Sequence, residues 1–247
     1  MDIFEPPGSQ QAYVSTGSLP PAERIASLVS HAHKRFATDT RGDVSQVYPA
    51  LARVPPQLFG ICVADTTGST FAVGDSAHEF TIMSVSKPFV FGLICDLIGP
   101  TGARARIGAI ATTSLAPGVD QRARWEFLRQ GLSRFAGREL ALNEEVYESA
   151  SLTNSRNRSI AWMLKNLDRI YCDPIEAVDL YTLQCALDVS ARDLAVMGAT
   201  LADGGFNPVT REQVIKPETC HYVLAVMLTA GLYETSGDWL YEIGLPG

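Results

Sequence analysis

The quartet Ser84-Val85-Ser86-Lys87 constrains this chain more than any other feature, because it stands between two predicted strands and the apolar run Phe89-Val90-Phe91. Residues three apart lie on one face of a helix, so a helix that begins near Ser84 sets Lys87 Nζ beside Ser84 Oγ. An amine in its neutral form at that place can take the hydroxyl proton and make Ser84 a nucleophile. Ser86 is adjacent to Lys87 and points elsewhere, so it is the weaker candidate.

The position of Pro88 supports a helix that starts at the quartet. Proline is tolerated in the first turn of a helix, where backbone donors have no intrahelical acceptor. The N–H of Ser84 would then face whatever reacts with Oγ and serve as an oxyanion donor. The alternative interpretation is an N-capping serine with a solvated lysine. The placement after two strands favours catalysis, since serine acyl-transfer enzymes of the penicillin-binding class use such a quartet.

Composition indicates a globular protein without a nucleic-acid surface or a membrane span. Hydrophobic residues make up 46% and charged residues 19% of the 247 residues, and the net charge is −7 with no block of Lys and Arg. No apolar run reaches the length of a membrane span. The N-terminal residues lack a basic and apolar leader, which predicts a cytoplasmic protein. We expect a flexible segment over 1–20 and one domain over 21–247.

Cysteine and histidine usage predicts no metal site and no disulfide framework. The five cysteines are odd in number and widely spaced, and several lie in apolar runs, which indicates buried free thiols. The four histidines show no ligand pattern such as HExxH.

The order of predicted elements indicates an α+β fold. Strands are predicted over 59–64 and 69–73, with Gly68 in the turn between them. A helix follows from Ser84 to about Leu97, and a further strand is predicted to begin over 240–243. The strands at both ends would form one sheet. Further helices are predicted over 21–37, 120–137, 159–167, 175–186, 191–202 and 217–228.

Several short motifs, taken in their order and spacing from about Gly42 onward, resemble the serine-dependent glutaminases. That resemblance implies the fold of serine β-lactamases and penicillin-binding proteins, with a central antiparallel sheet, helices on both sides and a helical subdomain. The motifs are Pro49-Ala50-Leu51-Ala52, the quartet at Ser84, Gly108-Ala109-Ile110, residues 143–149 with Arg156-Asn157-Arg158, residues 201–205, Gly231-Leu232-Tyr233 and residues 244–247.

The resemblance implies a role for five residues. Ser84 matches the nucleophile that forms a glutamyl-enzyme, and Lys87 matches its proton acceptor. Asn157 and Tyr181 match substrate-binding residues, and Tyr233 matches a substrate-binding tyrosine that relays a proton to the leaving ammonia. Without the resemblance, each tyrosine is better explained as a half-buried aromatic with a solvated hydroxyl. The implied partner is L-glutamine as substrate, in a homo-oligomer that needs no cofactor.

The chain also departs from the family pattern. Ala150 stands where a substrate-binding glutamate is expected, and Glu148 replaces it only if the local backbone differs. Arg106 stands where a substrate-binding asparagine is expected, and the segment before Gly108 is shortened. The family usually has a tyrosine at the position where Val47 stands in this chain, and Tyr48 is the adjacent residue. We also expect a Lys-Ser-Gly strand after residues 244–247, so the predicted sheet is incomplete at that end.

Three interpretations follow from these matches and departures. The leading one is a glutaminase that converts L-glutamine and water to L-glutamate and ammonia through a Ser84 acyl-enzyme. The second is an impaired or inactive homologue that keeps the scaffold, which Ala150 and the shortened segments support. The third is a β-lactamase or penicillin-binding hydrolase, which only Ser84 and Lys87 support. An assay for ammonia release separates the first two, and a chromogenic β-lactam tests the third.

Overall fold

A computed structural model describes residues 20–232 and 235–243 of the chain. The predicted lead-in over 1–20 lies outside the described residues, apart from Pro20. Helices dominate the described part. They are α1 (Ala22–Phe36), α2 (Ser86–Ile98), α3 (Pro100–Ala105), α4 (Ala109–Thr113), α5 (Gln121–Ala136), α6 (Glu144–Thr153), α7 (Ser155–Asn166), α8 (Pro174–Cys185), α9 (Ala191–Ala202), α10 (Pro217–Ala230) and α11 (Ser236–Ile243).

The predicted hairpin is present as strands β1 (Gly60–Ala64) and β2 (Thr70–Gly74), which pair antiparallel. Its turn is held by Asp65, whose carboxylate accepts hydrogen bonds from the N–H groups of Thr67 and Ser69. Gly68 supplies the positive φ of 92° that this turn needs. Helix α9 packs against β1 and α1 packs against β2, so helices cover the hairpin.

Helix α2 lies at the centre of the main core, because it is apolar on all sides and eight of its residues are buried. Helices α3, α4, α5 and α10 all contact it. Phe89 of α2 meets Phe135 of α5 edge to face, with ring centroids 5.1 Å apart. We call this core the α2 cluster; its largest fully buried members include Phe135, Ile82, Ile94, Leu128, Leu132, Leu180 and Met197.

A smaller core, the α7 cluster, lies where α4, α7 and α8 meet. Its buried members are Ile110, Ala161, Ile170, Ala177, Val178, Tyr181 and Cys185. Helix α8 takes part in both cores, since Leu180 belongs to the α2 cluster and Tyr181 to the α7 cluster. The turn that carries Ser84 also contacts α8, so this helix links both cores to the site.

The α+β class is confirmed, but one strand prediction is wrong. Residues 240–243 form the end of helix α11 rather than a strand. Ser236 and Asp238 put a hydroxyl and a carboxylate in its first turn, where both favour a helix N-terminus. Within the described residues, the sheets are the β1–β2 hairpin and a short pair of β3 (Phe80–Thr81) with β4 (Asp188–Val189), rather than one sheet built from both ends. No helix in the described ranges is long and apolar enough to cross a membrane.

Candidate active site

The Ser84 side chain is presented on a tight turn at the start of α2. Met83, Ser84 and Val85 form one turn of 3₁₀ helix that runs directly into α2, and Met83 has a positive φ of 49°. Positive φ in a residue with a side chain is strained and is common at functional sites. Ser84 is exposed, and Lys87 Nζ donates a hydrogen bond of 3.0 Å to Ser84 Oγ. The spacing of three thus brings the hydroxyl and the amine together.

Ser86, the other hydroxyl of the quartet, is part of the buried scaffold. It is fully buried and donates to the Met83 carbonyl at 2.8 Å, which holds the strained turn. Gln184 of α8 donates to Ser86 Oγ at 3.0 Å and accepts from Thr113 of α4 at 2.9 Å. These bonds satisfy buried polar groups and fix the Ser84 turn against α4 and α8.

A small pocket lies beside this turn, and we call it the Tyr48 pocket. The predicted substrate residues Asn157 and Tyr181 both line it. Its volume is about 10 Å³, which suits about one water molecule. An amino acid can therefore enter only if a lining side chain moves. The full lining is Tyr48, Met83, Val146, Ala150, Asn154, Asn157, Tyr181, Thr182, Cys185 and Ala186.

Tyr48, and not Val47, points into this pocket. Val47 is 68% exposed, whereas Tyr48 is half-buried and lines the pocket. The Ala50 N–H donates to Ser149 Oγ of α6 at 3.2 Å, which holds this segment against α6. Burial raises the pKa of Tyr48, with a smaller contribution from Cys185. The pocket therefore has a phenol in its lining, from the residue next to the position at which the family motif leads one to expect a tyrosine.

Tyr181 has a neutral hydroxyl that interacts with the Ser84 side chain. Burial is the main cause of its raised pKa, with Cys185 adding to the effect, while the hydrogen bond with Ser84 opposes it. Burial also raises the pKa of Cys185 to about 11. The Cys185 thiol therefore stays protonated beside Tyr181, and it fills space without acting as a nucleophile.

The other two substitutions in the family pattern, at Ala150 and Arg106, have clear structural outcomes. Ala150 is 3% exposed and lines the Tyr48 pocket, so no carboxylate reaches it from this position. Glu148 cannot replace it, because α6 is a regular helix that leaves Glu148 exposed and outside the pocket lining. Arg106 donates to the Gly102 carbonyl at 3.1 Å and lies over the Tyr171 ring, and it lines neither cavity near Ser84.

The Ser84–Lys87 pair borders a much larger cavity of about 810 Å³, which we call the apolar cavity. Phe91 of α2 forms one wall, and Leu224 and Leu228 of α10 form another. Ile107, Gly108 and Ala109, at the junction of α3 and α4, complete it next to Ser84. Its size lies within the range typical of small-molecule sites.

One predicted residue, Tyr233, lies outside the described residues. Several lining residues were not singled out from the sequence, among them Asn154 and Thr182. Asn154 is 5% exposed and donates to Thr182 Oγ1 at 2.8 Å. Asn154 lies three residues before Asn157, between the two parts of the motif, so their helical spacing was the signal that could have found it.

The fold and the serine–lysine pair define the class of β-lactamase-like proteins. A solved structure described as probable glutaminase ybaS has a TM-score of 0.88 and 34% identity, covering 92% of this chain and 83% of its own. A probable glutaminase from Bacillus subtilis, complexed with 6-diazo-5-oxo-L-norleucine, has a TM-score of 0.81 and 28% identity, covering 96% and 81%.

Sequence comparison gives the family. The glutaminase family model matches residues 42–108 and 100–247. Glutaminase 2 of Yersinia pestis is 58% identical, covering 95% of this chain and 78% of its own length. A glutaminase of Mycobacterium ulcerans is 40% identical, covering 90% and 79%. The chain belongs to the glutaminase family.

The comparisons also support the predicted internal deletion. The alignment with the Yersinia protein is 264 residues long, which exceeds the 247 residues of this chain, so it spans residues that this chain lacks. The two matches of the family model meet over 100–108, the same place at which the segment before Gly108 is shortened. This junction forms part of the wall of the apolar cavity.

Proposed function

We propose that this protein hydrolyses L-glutamine to L-glutamate and ammonia through an acyl-enzyme on Ser84. The observation that carries the proposal is the 3.0 Å contact between Lys87 Nζ and Ser84 Oγ on an exposed, strained turn. The relatives named as glutaminases support the choice of an amide substrate over a β-lactam or an inactive scaffold.

In the proposed first step, Lys87 Nζ takes the Ser84 proton while Oγ attacks the γ-carbonyl carbon. The N–H of Ser84 lies in the first turn of the helix and has no intrahelical acceptor, so it can stabilise the oxyanion. The carbon–nitrogen bond then breaks, and ammonia leaves with the proton from Lys87 Nζ. Water attacks the resulting ester, glutamate leaves, and Ser84 regains its proton.

The proposed roles of the other residues follow from their positions and from the family motif. Asn157 is assigned to the amino-acid end of glutamine, because its amide both donates and accepts hydrogen bonds. Tyr181 is assigned the role of a neutral hydrogen-bond donor beside Ser84, and its raised pKa supports this role. Tyr233 keeps the proton-relay role that the motif implies. Entry of substrate then requires movement of a side chain such as Tyr48 or Met83, given the small volume of the Tyr48 pocket.

Three broader assignments are part of the same proposal. We propose that residues 21–247 form one domain, that the protein is cytoplasmic and that it forms a homo-oligomer. Exposed apolar side chains on α7 and its end, including Trp162, Met163 and Leu167, support a contact between copies. Sedimentation velocity at several protein concentrations tests this, and a monomer throughout would contradict it. Fractionation of the native host tests the location.

We predict that 6-diazo-5-oxo-L-norleucine labels Ser84. This electrophilic glutamine analogue is bound by the Bacillus subtilis relative, and Ser84 carries the exposed hydroxyl of the quartet, whereas the Ser86 hydroxyl is buried. Intact mass and peptide mapping should find one adduct, on the peptide that contains Ser84. Ser84→Ala should abolish the adduct and ammonia release from glutamine.

The comparison variant is Ser86→Ala, which removes the buried hydroxyl of the same quartet. It should still give the adduct, but more slowly, because Ser86 holds the turn that presents Ser84. Equal labelling of the Ser84→Ala variant would reject the assignment of the nucleophile. Release of ammonia by that variant would reject the acyl-enzyme on Ser84.

A further inference from the structure

We propose that Gln184 is a positioning residue for the nucleophile Ser84. Its side-chain amide fixes the direction of the Ser86 hydroxyl, and Ser86 in turn holds the strained turn that presents Ser84. This inference rests on the proposed function, because it concerns the reactivity of the same serine. Gln184 acts through Ser86, so its effect should appear in the rate of the chemical step.

Gln184 is a polar side chain at a place where an apolar one would fill the same space. It is 1% exposed and is one of the largest fully buried side chains in the described part of the chain. Its neighbours in α8, Leu183 and Cys185, are also buried. A buried amide loses its hydration, and only its hydrogen bonds offset that loss. The bonds that Gln184 makes therefore indicate its role.

The single proton of the Ser86 hydroxyl decides which way round the Gln184 amide lies. The Met83 carbonyl, 2.8 Å from Ser86 Oγ, can only accept that proton. Ser86 Oγ therefore accepts from its other neighbour, and Gln184 Nε2 is the donor at 3.0 Å. The amide oxygen then faces Thr113, which donates to it at 2.9 Å. The result is a directed chain of hydrogen bonds from Thr113 of α4 through Gln184 to the Met83 carbonyl.

A second tether holds the other end of the same turn. The Ile82 N–H donates to the carbonyl of Leu187, just after α8, at 2.8 Å, and both side chains are buried. Met83 lies between this tether and the Ser86 tether, with its positive φ of 49°. A strained residue persists only where the surrounding structure over-determines it. Residues of α8 and just after it therefore fix the turn at both ends.

The turn sets the geometry of the reactive pair because Ser84 itself is exposed. Its Oγ meets Lys87 Nζ at 3.0 Å, and the direction of the hydroxyl depends on the backbone beneath it. Loss of the Gln184 amide removes the donor to Ser86, whose hydroxyl can then turn away from the Met83 carbonyl. A misplacement of about 1 Å can cost about a hundredfold in rate. We therefore expect a loss of reactivity at Ser84 without a matching loss of ligand binding.

The test measures inactivation by 6-diazo-5-oxo-L-norleucine over a range of concentrations. This separates the maximal rate constant of inactivation from the concentration that gives half of it. Gln184→Met removes both amide bonds at nearly the same side-chain length. It should lower the maximal rate constant about tenfold or more and change the half-maximal concentration less than about threefold. A maximal rate constant within about twofold of that of the parent would overturn the inference.

The matched control is Thr200→Val, which removes another buried hydrogen-bonding side chain. Thr200 is fully buried in α9, donates to the Val196 carbonyl at 2.9 Å and lines neither cavity near Ser84. Urea unfolding measures the stability lost in both variants. Thr200→Val should lose stability and keep a maximal rate constant within about twofold of that of the parent. If it slows inactivation as much as Gln184→Met does, general destabilisation explains both and the inference is overturned.

A double-mutant cycle tests whether Gln184 acts through Ser86. In the Ser86→Ala background the link to the Met83 carbonyl is already gone, so Gln184→Met should lower the maximal rate constant by less than about threefold further. If the two losses multiply instead, Gln184 acts independently of Ser86 and the inference is overturned.

Thr113 provides a second pair of variants if Gln184→Met does not fold. Thr113→Val removes the hydroxyl that holds the Gln184 amide oxygen and should slow inactivation in the same direction, with a smaller effect. Thr113→Ser keeps the hydroxyl and should restore the rate constant of the parent. An unchanged rate constant in Thr113→Val would then overturn the inference.

A fluorophosphonate, which labels nucleophilic serines without a glutamyl group, separates this inference from the proposed function. Ammonia release by the parent, with equal labelling rates in the parent and in Gln184→Met, overturns the inference and leaves the proposed function intact. Fluorophosphonate labelling of Ser84 that Gln184→Met slows about tenfold, without ammonia release from glutamine, supports the inference and overturns glutamine as the substrate. No labelling of Ser84 by either reagent in the folded parent overturns both.

Discussion

At the residue scale, the turn that presents Ser84 and Lys87 is held by neighbouring residues that the sequence pattern does not reveal. The spacing of three predicted that Ser84 and Lys87 meet, because helical geometry alone decides it. It did not predict the positive φ of Met83, which depends on the bond from Ser86 to the Met83 carbonyl and on Gln184 in α8. Ser86 and Gln184 are 98 residues apart in sequence, so only the tertiary fold brings them together.

Position 150 shows how a family pattern and the packing of one chain can differ. The resemblance leads one to expect a carboxylate here, but Ala150 is buried against a pocket of about 10 Å³. The structure describes no Lys, Arg or His among the residues lining that pocket. A carboxylate at this position therefore needs both room and a cation that the described lining does not supply.

We predict that Ala150→Glu lowers the free energy of unfolding by about 2 kcal/mol or more, through overpacking and burial of an unpaired polar group. Urea unfolding measures this change. Ala150→Gln, which has nearly the same volume without the charge, is the control and should cost less. If added glutamate stabilises the Glu variant more than the parent, the lost carboxylate had a role with the substrate ammonium. Unchanged or increased stability of the unliganded Glu variant would contradict the packing argument.

At the element scale, local signals predicted elements well where they are strong. Gly68 and the apolar runs around it predicted the hairpin. Apolar residues recurring at helical spacing predicted α1, α5 and α9. Helix α6 was missed, although Asn143 caps it by accepting from the Val146 N–H and Glu144 and Glu145 lie in its first turn. The short strands β3 and β4 were also missed. A strand of two residues is too short to show an alternating pattern, and the two strands are far apart in sequence.

Asp193 joins two elements through a cap and an ion pair. Its carboxylate accepts from the N–H and Oγ of Ser190, which caps α9, and from Arg138, which follows the end of α5. Burial alone would raise the pKa of Asp193, but the hydrogen bonds from Arg138 and Ser190 outweigh burial and lower it below the ordinary 3.8. A depressed pKa in the folded state means that the ionised form stabilises the fold.

We predict that Asp193→Asn lowers the free energy of unfolding at neutral pH by about 1.5–3 kcal/mol, as expected for hydrogen bonds to charged groups. The contribution of Asp193 is fully present above its ordinary pKa of 3.8 and is lost as the pH falls through the lower folded pKa. The difference between parent and variant should therefore shrink as the pH falls below about 4. Asp43→Asn, at an exposed position, is the control. A difference independent of pH would contradict the ionic origin.

For the whole molecule, the arrangement of the two cores depends on α8. The sequence predicted most of the helices and the α+β class, but it did not predict that Leu180 and Tyr181, adjacent in sequence, belong to different cores. Adjacent helical residues point about 100° apart, so one helix can serve two cores. The Ser84 turn contacts this same helix, which ties the geometry of the site to the stability of both cores.

We predict that the two cores unfold as one cooperative unit. A helix whose residues are buried on both sides cannot leave one core without exposing the other, so partial unfolding is costly. Trp125 packs against the α2 cluster, and Trp162 lies on α7, whose Ala161 belongs to the α7 cluster. Variants that keep Trp125 or Trp162 as the one tryptophan should report the same urea midpoint.

Leu180→Ala should lower both midpoints together, since a buried leucine truncated to alanine costs about 2–5 kcal/mol. Midpoints that separate, or a Leu180→Ala variant that shifts only the Trp125 signal, would show two independent units and contradict one domain over 21–247.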